Sequence, residues 1–95
     1  MYVLTQHAKQ RMEERGISEE TVKKAYDIAK TKVGKTRHVA VYFNSTNEYI
    51  AFDTEDFVVI STMHMHQHRI RSHGSGLRAA QAHARHNNTY CVGTA

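Results

Sequence analysis

The chain has 95 residues, 40% apolar and 23% charged, with a net charge of +4, five Gly, no Pro and a single Cys. At this size only about two-thirds of the unfolded surface can be buried, which allows one small core and excludes a multidomain enzyme. No apolar run approaches the roughly 18 residues of a membrane span, and the opening MYVLTQHAKQR lacks the apolar stretch of a signal peptide. One cysteine builds neither a disulfide scaffold nor a Cys-x-x-Cys zinc knuckle, so a cytoplasmic domain without membrane contact is expected.

Two helices open the chain. Thr5 as N-cap and Gly16 as stop bracket a helix over residues 6–15, with Leu4, Ala8 and Met12 facing a core. Ile17 follows the glycine and seals the helix end. A second helix begins at Ser18, carries Glu19 and Glu20 in its positive first turn and Lys30 and Lys32 in its last turns, and closes at Gly34. Its apolar stripe is Val22, Ala25, Tyr26, Ala29 and Val33.

The period then changes from 3.6 to 2. Over 36–43, Val39, Val41 and Phe43 alternate with His38, Ala40 and Tyr42, and a polar turn at 44–47 leads into a returning strand over 48–52. A second turn at 53–56 precedes a third strand over 57–63, apolar on both faces as a central strand would be. Tyr42 and Tyr49 fall opposite one another on the face away from the helices, where they either stack bases or simply stabilise the hairpin. Two helices on one face of an antiparallel β-meander make an α+β domain over residues 1–71. Residues 72–95 read as a basic, His/Ala-rich C-terminal extension. Within it, 77–86 has only Leu77, Ala80 and Ala84 as a stripe, and a helix that short is marginal without tertiary packing.

Charge divides unevenly along this plan. Residues 1–57 hold nine Lys/Arg and all nine Asp/Glu; residues 58–95 hold Arg69, Arg71, Arg78 and Arg85, six of the eight histidines and no carboxylate. A one-signed segment attracts polyanions, more strongly as its histidines protonate below about pH 6.5. The four arginines are therefore candidate nucleic-acid contacts, although a basic tail can also be merely solvated.

Two groups of residues can carry chemistry. His7, Arg11 and Arg15 recur every fourth position and lie within about 80° of helical arc. Arg15 points close to the direction of buried Ala8, so it must snorkel, meet a carboxylate or line a polar cleft. Two guanidinium groups disfavour a charged His7 and leave it fit to accept a proton, and their forked donors suit phosphate oxygens. The ordinary alternative is an exposed face with Glu13 and Glu14 pairing the arginines. In the third strand Thr62, His64, His66 and His68 share one side if extension continues. Thr62 and His64 can hydrogen-bond a phosphate and exchange protons with it. His64, His66 and His68 can instead ligate zinc, nickel or copper, but same-face neighbours about 6.6 Å apart let only two imidazoles share an ion without bending. No cofactor or metal is expected, and Cys91, with no base beside it, is not expected to act as a nucleophile.

Residues 5–18, TQHAKQRMEERGIS, resemble the opening of the family catalogued as domain of unknown function 4258, with the pattern s-x-H-a-x-x-R-m-x-x-R-g-I-s. The matching residues are His7, Arg11, Met12, Arg15, Gly16, Ile17 and Ser18, with FVVIST at 57–62 as the late valine-rich strand; the likeness covers about residues 4–64. In the order of its elements that family is similar to the barnase–EndoU–colicin–RelE ribonuclease group, which includes toxin–antitoxin and contact-dependent inhibition toxins. The resemblance implies that His7, Arg11 and Arg15 are active-site residues, with Thr62 or His64 contributed from the sheet.

The leading expectation is a small, toxin-like, metal-independent endoribonuclease. His7 would deprotonate the ribose 2′-hydroxyl, Arg11 and Arg15 would hold the scissile phosphate, and His64, assisted by Thr62, would protonate the leaving 5′-oxygen. Its expected partners are RNA, tRNA included, and an acidic antitoxin or immunity protein. Two rivals remain. One is a non-catalytic adaptor or inhibitor from a phage or mobile element, binding a host protein through the first helix or a sheet edge. The other is a nucleic-acid-binding accessory protein that binds in a salt-sensitive way without cleaving. A ribonuclease needs His7 and Arg15 at a pocket, whereas an adaptor needs an exposed apolar patch.

Overall fold

A computed structural model describes residues 1–65 and 76–94. Its elements run α1 (Gln6–Arg15), α2 (Glu19–Ala29), β1 (His38–Phe43), β2 (Glu48–Asp53), β3 (Val58–His64), α3 (Gly76–His86) and β4 (Thr89–Thr94). The Thr5 side chain accepts the Ala8 N–H, and Gly16, left-handed at φ 66°, donates back to the Met12 and Glu13 carbonyls. Ile17 then turns into the core, as expected. Ser18 caps α2 through the Thr21 N–H. That helix ends earlier than the sequence suggests, in a 3-10 turn over Lys30–Lys32, where the Thr31 hydroxyl donates to the Ile28 carbonyl at 2.7 Å. Val33 consequently leaves the apolar stripe and is 55% exposed.

The sheet order is β3-β2-β1-β4. β1, β2 and β3 form the expected antiparallel meander, and Tyr42 pairs with Tyr49 as anticipated. The third strand is not central, however. It lies at the sheet edge, because β4 pairs in parallel with β1 from His38↔Thr89 to Phe43↔Thr94 and makes β1 an inner strand. The segment read as an extension thus supplies a strand and a helix to the same sheet. α1 and α2 cover one face, where Met12, Val22, Ala25, Val39, Val41, Ile50 and Phe52 form the larger core. α3 covers the other face, with Ala80 packed among Ala40, Tyr42, Tyr49 and Ala51. The α+β class stands, built in three layers.

Small residues let α3 come down on the sheet. Ala40 and Ala51 face Ala80, and Leu77 occupies the space above Gly93, where a Cβ would lie 2.4 Å from Leu77 Cδ1. Asn88, at φ 57°, ends the helix in the left-handed conformation and turns the chain into β4. Tyr42 and Tyr49 are therefore core residues under α3 and not an exposed stacking platform. Among the described residues no helix is long and apolar enough to cross a membrane.

The covering of this second face is directly testable. Ala80→Glu places an unpaired charge against Tyr42 and Tyr49 and is expected to cost about 3 kcal/mol or more in urea unfolding. Ala82→Glu, on the exposed side of α3, is expected to stay within about 0.5 kcal/mol of the parent. Equal effects at the two positions would contradict the packing of α3 on the sheet.

Candidate functional site

A β-bulge decides what faces α1. Phe52 pairs with Val59, but Ala51 pairs with Ser61, so Ile60 has no partner of its own. With regular pairing Thr62 would stand opposite Tyr49 and point toward α3. The extra residue moves it opposite Ile50, and His64 opposite Glu48, on the face that α1 covers. Thr62 and His64 keep the common side expected of them, and Ile60 is left exposed at the bulge.

Between α1 and β3 lies a cleft of about 210 Å³ lined by His7, Arg11, Arg15, Thr62 and the bulge residues Ile60 and Ser61. This is below the usual range of about 300–1,000 Å³ for small-molecule pockets and suits one phosphate group better than a whole nucleotide. Arg11 Nε donates to His7 Nε2 at 3.4 Å, so the lone pair of the exposed imidazole sits on that nitrogen. Arg11 also meets Glu14 Oε1 at 3.0 Å, in a half-exposed pair of the kind worth about 0–1 kcal/mol and easily given up to a phosphate. Part of the plain exposed-face alternative is thus realised at Glu14.

Arg15 and His64 form a reciprocal clasp. Arg15 Nη1 donates to the Thr62 carbonyl, and His64 Nε2 donates at 2.8 Å to the Arg15 carbonyl, one of the unpaired acceptors at the end of α1. A carbonyl can only accept, which places the His64 proton on Nε2. The clasp leaves His64 outside the residues that line the cleft. The Thr62 hydroxyl is buried and has no hydrogen-bond partner among the described residues, with the residue 1% exposed. Thr62 therefore lines the cleft with its hydroxyl buried, and His64 stands outside the lining. Glu48 was missed by sequence reasoning. It is buried opposite His64, and its Oε1 accepts from the Thr46 and Thr21 hydroxyls at 2.7 and 3.4 Å. Only the bulge brings it beside His64, and no sequence pattern announces a bulge at Ile60.

The remaining candidates separate. Arg78 and Arg85 lie on the exposed side of α3, while Arg69, Arg71, His66 and His68 fall outside the described residues. Among the described residues no group of three or more His, Cys, Asp or Glu is placed to hold a metal. Cys91 lies half-buried on β4, and burial pushes its thiol up to about 11. Comparison of the chain with protein-family models, with curated proteins and with solved structures finds no match.

Two measurements check this geometry. Thr62→Val removes a buried hydroxyl that has no partner and is expected to stabilise the fold by about 1 kcal/mol; a loss of similar size would show that the hydroxyl is bonded. Cys91 is expected to react with iodoacetamide at pH 8 about a hundredfold more slowly than an unperturbed thiol, and normally after denaturation. A raised thiol means the native state holds its proton longer, so this group's contribution to stability is lost as pH rises from the ordinary 9.0 through about 11. Fast alkylation of the native chain would contradict the burial.

Proposed function

We propose that this chain is a metal-independent endoribonuclease that cleaves RNA, tRNA included, by attack of a ribose 2′-hydroxyl on the adjacent phosphate. The observation that carries the reading is the cleft between α1 and β3, where His7, Arg11 and Arg15 surround a space sized for a phosphate. His7 Nε2 takes the proton of the 2′-hydroxyl as the oxygen attacks phosphorus. The guanidinium groups of Arg11 and Arg15 meet the charge that grows on the non-bridging oxygens. The bond to the 5′-oxygen breaks, that oxygen takes a proton from water at the cleft mouth, and His7 returns its own proton to solvent. The products are a 2′,3′-cyclic phosphate and a 5′-hydroxyl.

His64 and Thr62 act in this scheme as positioning residues. His64 ties the end of α1 to β3, and the Thr62 carbonyl holds the Arg15 fork in place. The likeness of residues 5–18 to the pattern quoted above adds support, because its polar positions are the cleft residues. A cytoplasmic toxin of this type is restrained by an acidic antitoxin or immunity protein, for which the cationic rim of the cleft is the complementary surface.

The test is cleavage of total RNA and purified tRNA in excess EDTA. His7→Ala is expected to lower the rate by about 100-fold or more, and Arg15→Ala by about as much. His64→Gln is expected to slow cleavage while leaving a pH–rate profile that rises without a falling limb. A bell-shaped profile that loses its falling limb in His64→Gln would restore His64 as general acid. Intact RNA at high protein concentration would overturn the reading and favour the protein-binding adaptor.

A further inference from the structure

The bulge residues Ile60 and Ser61 border two clefts at once. One is the α1 cleft; the other, of about 400 Å³, opens on the opposite face of the sheet beneath the C-terminal half of α3. β3 is an edge strand, so the two clefts meet around the rim of the sheet. Tyr49, His83, His38 and Asn87 line the second cleft along with the bulge residues, and among the described residues no Lys, Arg, Asp or Glu does. It is large enough for a flat heteroaromatic group with part of a sugar.

Its polar groups are the imidazoles of His38 and His83, the Asn87 amide and the hydroxyls of Tyr49, Ser61 and Thr89. Tyr49 is 2% exposed, and burial pushes its phenol up and keeps it protonated. It can therefore both donate and accept. His83 meets the Tyr49 ring edge-on at 5.4 Å. The Asn87 amide nitrogen lies 3.2 Å from His83 Nε2 and 2.9 Å from the His83 carbonyl; as a donor to both, it leaves the His83 proton on Nδ1. Past Thr89 the cleft adjoins a third, lined by Arg85 and Gln81. Along the surface an arginine-lined cleft is thus followed by an aromatic one and then by a second arginine-lined one. Single-stranded nucleic acid presents the complementary alternation of phosphate, base and phosphate.

We infer that the cleft beneath α3 is a nucleobase subsite, taking one base of a single-stranded RNA whose backbone crosses the edge strand at Ile60–Ser61. The inference builds on the phosphodiester reading of the α1 cleft, but base binding itself does not require cleavage. The probe is a 2′-deoxy hexanucleotide of mixed sequence, which cannot undergo transesterification, together with the six versions carrying one abasic position. Binding to the full chain is read by fluorescence anisotropy at low salt.

One abasic position is expected to weaken binding about tenfold, the effect of losing one bound base. His83→Ala and Tyr49→Phe are expected to weaken the intact probe, and to change nothing further once that base is missing. Tyr49→Phe keeps the buried ring, so its loss of binding does not reflect unfolding, and thermal melting of both variants confirms the fold. Uniform binding of all six abasic probes, variants that weaken intact and abasic probes equally, or no binding of any probe would overturn the inference. Base coupling without RNA cleavage would leave the subsite standing and remove the nuclease reading; cleavage without base coupling would do the reverse.

Discussion

β1 is hydrogen-bonded on both sides, antiparallel to β2 and parallel to β4. A parallel partner cannot be reached by a tight turn, so the chain must cross the sheet before β4 can pair. α3 lies on that crossing, and its position follows from the pairing it serves. It also settles the burial problem of the sheet. β1 and β2 carry apolar side chains on both faces, and a strand with Val39 and Val41 on one side and Ala40 and Tyr42 on the other is stable only if both faces are covered. α1 and α2 cover the first face, and α3 covers the second over a floor of alanines and one glycine.

β4 adds to β1 and not to β3, so β3 stays at the edge, and the clefts depend on that. An inner strand would be enclosed by neighbours on both sides, leaving no rim for a chain to cross. The bulge at Ile60 then turns Thr62 and His64 toward α1, where the clasp between Arg15 and His64 fixes the end of the helix against the strand. His7 and Arg11 stay exposed and are held only by a long mutual hydrogen bond and a surface ion pair. The supporting half of the site is anchored to β3 through the buried Thr62, and the half facing solvent is free to rearrange around an anion.

Much of this was legible in the sequence. Thr5, Gly16 and Ser18 act through their own backbone chemistry, so both helix starts and the first helix end could be read locally. The period-2 pattern over 38–43 assigned the faces of β1 correctly. The end of α2 was misjudged because Thr31 diverts a carbonyl, which the apolar stripe does not reveal. The role of 76–94 was hidden for another reason. A helix of mostly alanine has a weak stripe, and its stability comes from Ala40, Ala51 and Gly93, which are small precisely where no local pattern explains it. His7, Arg11 and Arg15 were legible as a set from helical spacing alone. The supporting placement of Thr62 and His64 was not, because it depends on one unpaired residue in β3.

On the proposed reading labour is divided along the edge strand, with phosphate chemistry on the α1 side and base recognition beneath α3. The most direct measurement is an NMR titration of the side-chain imidazole and guanidinium resonances with a 2′-deoxy dinucleoside monophosphate. His7, Arg11 and Arg15 are expected to shift together and saturably, while His64 keeps its Nε2 proton bonded to the Arg15 carbonyl. Shifts confined to Arg78 and Arg85, with the α1 resonances unmoved, would contradict a phosphate site on the first helix.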